Sequence, residues 1–310
     1  MSEIDRRRML ALAGATGLAA TVPFISHASS KSTPAFKIGS FEITTLSDGY
    51  IGLPSTVVAP DADPAERAAA LKAAGQSSAE IRSPLNVTLV RSANELILID
   101  AGSGTQFVGT AGKLTASLET AGVTPEQITR VIFTHAHPDH LWGVINDFDE
   151  TAFPNASHHI SEVEWNYWNH KDTVSKVPKD RQGFVIGAQK RLAAIKEKIK
   201  TFKPGNDIAT GITVVDTAGH TPGHVSIQIS AGNDTAMVIG DALTHPIVSF
   251  QHPDWRPAMD QIPDRAAATR KALLARLHSE KTRITGYHLP SPGIGMVEKK
   301  GNGFMFAPAG

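Results

Sequence analysis

The sequence predicts an α/β protein built from two α/β halves, each with a β-sheet covered by helices. Three observations support this fold class. Strand-type and helix-type segments follow one another along the chain, and then do so a second time. A Lys-Pro-Gly turn at residues 203–205 separates the two series. Apolar residues make up 41% of the 310 residues and charged residues 19%, which permits a sizeable core and argues against disorder.

Each predicted element follows from local composition. Alternating or β-branched runs predict strands in the first half at residues 41–46, 86–91, 95–100 and 130–134. The second and third of these flank Ser92–Asn94 and predict a hairpin. Helices in the first half are predicted at residues 61–74, 110–121 and 183–200. The second half is predicted to contain strands at residues 212–217, 225–229, 235–240 and 283–286 and a helix at residues 264–278.

The first thirty residues predict an export signal. Three arginines at residues 6–8 precede an apolar run at residues 9–24, which is shorter than the ~20 residues that span a bilayer. Small residues at positions 26 and 28 follow, as at a signal peptidase site. This pattern is similar to a twin-arginine signal, and a buried N-terminal helix is the alternative. We therefore expect a periplasmic protein folded from residues 31–310, with no stable membrane anchor after the signal is removed.

Charge and cysteine content exclude several kinds of site. The chain has 30 basic and 30 acidic residues, so net charge does not favour a nucleic-acid partner. It has no cysteine, which excludes disulfides, thiol nucleophiles and Cys-ligated metals. The 13 histidines are the metal ligands that remain available.

The strongest motif is HAHPDH at residues 135–140, directly after a buried strand. His135 and His137 have strand spacing and are expected to point the same way. The proline between them and Asp139–His140 ends the strand and suits the first turn of a helix. Four ligands tethered this closely do not fit one tetrahedral ion, so the motif predicts two adjacent ions.

Further ligands are expected at the exits of other strands, where α/β sheets place their sites. His220 follows the strand at residues 212–217, Asp241 ends the strand at residues 235–240, and His288 follows a short strand. His224 is expected to hydrogen-bond within its Gly/Pro loop. Ordinary surface or core roles are assigned to the remaining candidates, His27, His158, His159, His170, His245, His252 and His278.

HAHPDH, the segment GHTPGH at residues 219–224, Asp241 and His288 together resemble the metallo-β-lactamase superfamily. The resemblance implies a four-layer αβ/βα sandwich with a dinuclear site along one edge, a small-molecule substrate and a homodimer. It implies that the first metal ion is held by His135, His137 and His220, and the second by Asp139, His140 and His288. Asp241 would bridge the two ions.

Three segments, at residues 41–49, 152–156 and 288–295, are similar to methyl parathion hydrolase and related periplasmic lactonase and arylesterase families. This resemblance implies an aromatic pocket above the metals, formed here by Phe107, Trp168 and Phe184, with ordinary core packing as the alternative. The chain departs from the family pattern at Val185, where a phenylalanine is expected, and at residues 290–291, where Pro-Ser replaces Ser-Phe.

The expected function is a dinuclear-metal hydrolase that uses a metal-bridging hydroxide on a lactone, aryl ester or organophosphate triester. Zinc is the first choice of metal, and manganese, cobalt or iron would also suit the ligands. Asp139 could orient the hydroxide, and Asp139 and Asp241 are the expected catalytic residues. Alternatives are a β-lactamase, a glyoxalase II-like thioesterase, a mononuclear iron oxygenase that leaves Asp139 and His140 idle, and a non-enzymatic metal-binding protein.

Overall fold

A computed structural model describes residues 33–77 and 79–309, which fold as one unit. The export signal predicted for residues 1–30 lies outside the described residues. The helices of the described part are α1 (Pro64–Ala73), α2 (Leu114–Thr120), α3 (Pro138–Leu141), α4 (Glu162–Asn169), α5 (Thr173–Lys176), α6 (Gln182–Ala194), α7 (Val248–Gln251) and α8 (Pro263–Glu280). Within the described ranges, no helix is long and apolar enough to cross a membrane.

The first sheet contains seven strands in sequence order. They are β1 (Ala35–Ile38), β2 (Phe41–Pro54), β3 (Glu80–Arg91), β4 (Leu96–Ile99), β5 (Arg130–Ile132), β6 (Ser157–Ser161) and β7 (Ile199–Phe202). Strands β1 to β4 are antiparallel, and β4 to β7 are parallel. The predicted hairpin is confirmed as β3 and β4.

The second sheet also contains seven strands, again in an unbroken order. They are β8 (Asp207–Ala209), β9 (Ile212–Asp216), β10 (Val225–Ala231), β11 (Asp234–Val238), β12 (Arg283–Thr285), β13 (Ile294–Lys300) and β14 (Gly303–Pro308). Only the pair β11 and β12 is parallel among the pairs recorded for this sheet in the described residues. The chain changes sheet between β7 and β8, which confirms the break predicted at residues 203–205.

The two sheets pack face to face, and helices cover both outer faces. Strand β4 shows the arrangement, because Ile97 and Ile99 face the core between the sheets while Leu98 faces the helical layer. Strand β11 does the same in the second sheet, where Met237 packs under α8 and Val238 points to the central core. Strands buried on both faces require this continuous apolar character. The fold is the predicted four-layer αβ/βα sandwich.

Two differences from the predicted elements have physical causes. The helix predicted at residues 183–200 ends at Ala194, because residues 199–202 pair with β6 as the last strand of the first sheet. The strands β13 and β14, which no prediction contained, form a hairpin whose inner side, with Val297 and Phe306, packs against α7 and α8. Helix α1 agrees closely with prediction, since Asp63 caps it and Pro64 begins it.

Candidate metal centre

Strands of both sheets end at one edge of the sandwich, and the seven predicted ligands meet there. The structure places them in a buried group of four and an adjacent buried group of three. The ligand atoms within each group lie within 4.8 Å of one another. The first group contains His135, His137, His220 and Asp241, and the second contains Asp139, His140 and His288.

In the first group, three imidazole nitrogens and one carboxylate oxygen converge. His137 Nδ1 lies 3.0 Å from His135 Nε2 and 2.9 Å from His220 Nε2. Asp241 Oδ2 lies 3.2 Å from His220 Nε2. Burial lowers the pKa of both His135 and His137 well below the usual range, so both rings are neutral. Neutral imidazoles and a carboxylate are a donor set that suits zinc.

Asp241 also faces the second group, so one carboxylate lies between the two. Its Oδ1 is 3.1 Å from His140 Nε2, and its Oδ2 is 3.2 Å from His288 Nε2. The carboxylate of Asp139 lies 3.5 Å from His140 Nε2 and 3.3 Å from His288 Nε2. The position of Asp241 between the groups is the one that a bridging ligand needs.

The site fits two divalent cations by the state of its own polar atoms. Within the described residues, His140 Nε2 and Asp241 Oδ1 are buried and make no hydrogen bond, although they face each other. Buried polar atoms without partners are rare in proteins and indicate a missing ligand. Two groups of imidazole and carboxylate donors that share Asp241 account for these atoms if each group holds one ion.

Hydrogen bonds on the far side of the rings fix which nitrogen faces the centre. His140 Nδ1 lies 2.7 Å from Asp100 Oδ2, His220 Nδ1 lies 3.1 Å from Asp260 Oδ1, and His288 Nδ1 lies 2.9 Å from the Pro84 carbonyl oxygen. An acceptor at Nδ1 keeps the proton there and leaves Nε2 free to bind metal. These contacts orient three ligands before any ion binds.

Close backbone approaches shape the loops that carry the ligands. Gly219, next to His220, has φ of 139°, and a Cβ there would lie 2.3 Å from the backbone nitrogen of Ala266. Gly240, next to Asp241, has φ of 51°, and its Cβ would lie 2.7 Å from His224 Nε2. Only glycine fits both positions. The glycines therefore let the two loops reach the edge where the ligands meet.

Charges inside the metal-free centre balance one another. Burial lowers the pKa of His220, but the carboxylates of Asp241 and Asp260 raise it to about 9. Burial likewise lowers the pKa of His288, but Asp241 and Asp139 raise it to about 10. Burial raises the pKa of Asp241, but the surrounding histidines, His288 first, hold it well below its usual range. At neutral pH, therefore, protons occupy ligand nitrogens that a metal ion needs.

We expect metal binding to release protons and to strengthen as pH rises from 6 to 9. His220 and His288 must lose their protons to act as ligands, and higher pH removes this competition. Calorimetric titration of Zn²⁺ into chelator-treated protein at pH 7, in two buffers of different ionisation enthalpy, should show release of about two protons. Equal binding enthalpies in both buffers would contradict the expectation.

A cavity of about 150 Å³ opens onto both ligand groups. Its walls are mostly apolar and come from the end of β2, the start of β3 and the loops at the site edge. Phe107 and Phe184 line this cavity, and their rings pack edge to face at 6.1 Å. Trp168 does not line it. Its side chain is 1% exposed, borders a smaller neighbouring cavity and packs edge-on against His137. The structure thus brings two of the three predicted aromatic residues to the main cavity.

The histidines that were assigned other roles stay outside both ligand groups. His224 accepts a hydrogen bond at Nε2 from the Asp241 backbone N–H, and its Nδ1 lies 3.1 Å from the Thr217 carbonyl. Burial, aided by nearby His220, lowers the pKa of His224 to about 3, so its ring is neutral. His245 lines the cavity, where its Nε2 lies 2.8 Å from Gln76 Oε1.

Sequence reasoning missed three carboxylates around the ligands. Asp100 holds His140 and also accepts hydrogen bonds from the backbone and side chain of Thr134. Its position at the end of β4 was a usable signal, because the predicted ligands also follow strands. Asp260 and Glu164 lie in loop and helix segments with no motif, and only the fold reveals their positions.

Comparison with known proteins agrees with this geometry. The chain is 32% identical to the dizinc quorum-quenching lactonase AidC, solved in complex with a product, over 90% of this chain and 97% of that one, with a TM-score of 0.83. It is 30% identical to the hydrolase AbOPH, described as in the beta lactamase superfamily, over the same shares and with the same TM-score.

Curated relatives are more distant. The chain is 26% identical over 182 residues to a "Probable metallo-hydrolase" of Mycobacterium bovis, a match that covers 52% of this chain and 57% of the relative. The match therefore spans less than two thirds of that protein's length. The family model of the metallo-beta-lactamase superfamily matches residues 82–288, which include all seven ligand positions. The chain belongs to the metallo-beta-lactamase superfamily.

Proposed function

We propose that this metal-dependent hydrolase uses two ions to cleave ester-type bonds, with a lactone that carries an apolar acyl chain as its best-supported substrate. The observation that carries the proposal is that both ligand groups open onto one mostly apolar cavity. A small substrate can therefore place its reacting group at Asp241 and Asp139 while its apolar part fills the cavity. Support also comes from AidC, whose bound product is a hexanoyl homoserine.

Zinc is the proposed metal at both groups, because imidazole and carboxylate donors suit it and the relative AidC is a dizinc enzyme. Bound divalent ions in such sites lower the pKa of water to about 7 and polarise a substrate oxygen. His135, His137 and His220 would hold one ion, and His140 and His288 with Asp139 would hold the other. Asp241 would serve both.

Asp139 is proposed to orient the attacking water and to carry its proton to the leaving alkoxide. Its carboxylate lines the cavity, and its backbone oxygen accepts a hydrogen bond of 2.6 Å from the Tyr287 hydroxyl. Burial raises the pKa of Asp139, but His140 and His288 hold it below its usual range, so the group is ionised. An ionised carboxylate beside the reacting group is suited to accept a proton.

Aryl esters and organophosphate triesters form the second candidate substrate class. The specific observation that favours them is the edge-to-face pair of Phe107 and Phe184 on the cavity wall. An aromatic leaving group can pack against such a pair.

The test is a substrate panel on the zinc-loaded protein: acyl lactones, aryl esters, phosphotriesters, β-lactams and thioesters. We expect the highest kcat/KM on a lactone with a medium-length acyl chain. Fastest turnover of a β-lactam or a thioester would replace the proposal with that activity. Metal analysis runs in parallel, and a single tightly bound iron would favour the oxygenase alternative.

Replacing Phe184 with alanine is expected to lower kcat/KM for a long-chain acyl lactone by roughly tenfold, because it removes apolar contact from the cavity wall. A lactone without an acyl chain should lose less than about threefold. Val163→Ala, a change at an exposed apolar residue of α4, is the control. Equal losses on both lactones would show that Phe184 does not contact the acyl chain.

A further inference from the structure

We propose that Glu164 is a positioning residue that locks together the two loops bearing the histidines of the first ligand group. Glu164 lies in α4, and its side chain is fully buried at 0% exposure. The inference rests on the two-metal site of the proposed function and deepens it. Glu164 touches no ligand atom of that site, and it acts through its hydrogen bonds.

One carboxylate oxygen of Glu164 holds the HAHPDH loop. Oε1 accepts a hydrogen bond of 3.1 Å from the backbone N–H of Ala136, the residue between His135 and His137. The same oxygen accepts a bond of 2.6 Å from the indole N–H of Trp168. The Trp168 ring in turn packs edge-on against the His137 ring, with centroids 5.7 Å apart. Oε1 therefore fixes both the backbone and one face of this ligand pair.

The other oxygen holds the GHTPGH loop. Oε2 accepts a hydrogen bond of 2.9 Å from the Thr221 hydroxyl and another of 2.9 Å from the backbone N–H of Gly223. Thr221 directly follows the ligand His220. A Cβ on Gly223 would lie 2.3 Å from the Glu164 backbone nitrogen, so this loop rests directly on α4. The carboxylate is thus a two-sided clamp between segments far apart in the sequence.

The contacts require a carboxylate rather than any polar side chain. No ion pair joins Glu164 to a cation in the described part of the chain, so its four hydrogen bonds stabilise it. Both oxygens act as acceptors for N–H donors. Glutamine has the same shape, but its NH₂ group must face at least one of these N–H groups. An unsatisfied pair of buried donors would push one loop away from the other.

The experiment compares Glu164→Gln with the unchanged full chain by binding of Co²⁺ alone, followed by its visible spectrum. We expect the affinity for one of two Co²⁺ ions to fall about 10- to 100-fold, with a changed spectrum for that ion, while the other ion binds normally. Glu162→Gln is the matched control, because Glu162 begins the same helix but is exposed and pairs with Lys203. It should leave both affinities unchanged.

A lower melting temperature with both Co²⁺ affinities and the spectrum unchanged would overturn the inference and reduce Glu164 to packing. If Glu164→Gln does not fold, Thr221→Val removes a single bond to Oε2 and should still weaken one Co²⁺ ion several-fold. No change in that variant would likewise overturn it. The readout needs no substrate, so an inactive protein that binds two ions would refute the proposed ester chemistry without affecting this result.

Discussion

Replacing Asp241 with asparagine is expected to lower kcat/KM by about a thousandfold or more and to leave one strongly bound metal ion instead of two. Asp241 is the one side chain whose oxygens face histidines of both ligand groups. Asparagine keeps a single acceptor oxygen and no charge, so it cannot serve both groups. Two cations held close together also repel each other, and the carboxylate between them offsets this repulsion.

The measurement combines metal content after dialysis with kcat/KM on the best substrate of the panel. Asp216→Asn is the matched control, because Asp216 makes the same change of charge at a half-exposed position beside Arg265. That variant should keep two ions and normal turnover. Full metal content with unchanged turnover in Asp241→Asn would remove the bridging role of Asp241.

The ligand set was predictable because each member follows a strand. Chain direction brings strand exits to common edges, so the order of strands alone places His135 after β5, Asp241 after β11 and His288 after β12 at one edge. The same logic predicted the change of sheet near residue 204. Periodicity also predicted strands such as β4, whose apolar run signals burial on both faces.

The hydrogen-bonding residues behind the ligands were not predictable in this way. Glu164 comes from α4 and Asp260 from the loop before α8, and neither segment has a pattern that marks a buried acid. Their partners are separated from them by tens of residues, so only the tertiary fold brings them together. Trp168 illustrates the same limit, since helix spacing cannot distinguish a pocket wall from the core behind a ligand.

Replacing Asp260 with alanine is expected to reduce the free energy of unfolding by about 3–5 kcal/mol and to weaken metal binding about 10- to 100-fold. Asp260 accepts a 2.7 Å hydrogen bond from the Arg270 guanidinium, and both side chains are nearly inaccessible, at 2% and 3% exposed. Its other oxygen lies 3.1 Å from His220 Nδ1. Alanine therefore leaves a buried cation unpaired and also frees the ring of a ligand.

The two effects separate in a double variant, Asp260→Ala with Arg270→Met. Methionine removes the unpaired charge and fills much of the same volume, so most of the lost stability should return in urea denaturation of the metal-free protein. The metal affinity should stay low, because nothing then holds the Nδ1 proton of His220. Recovery of both properties in the double variant would mean that Asp260 acts only through folding stability. Recovery of stability alone assigns it to the orientation of His220, which a buried ion pair without a ligand partner could not explain.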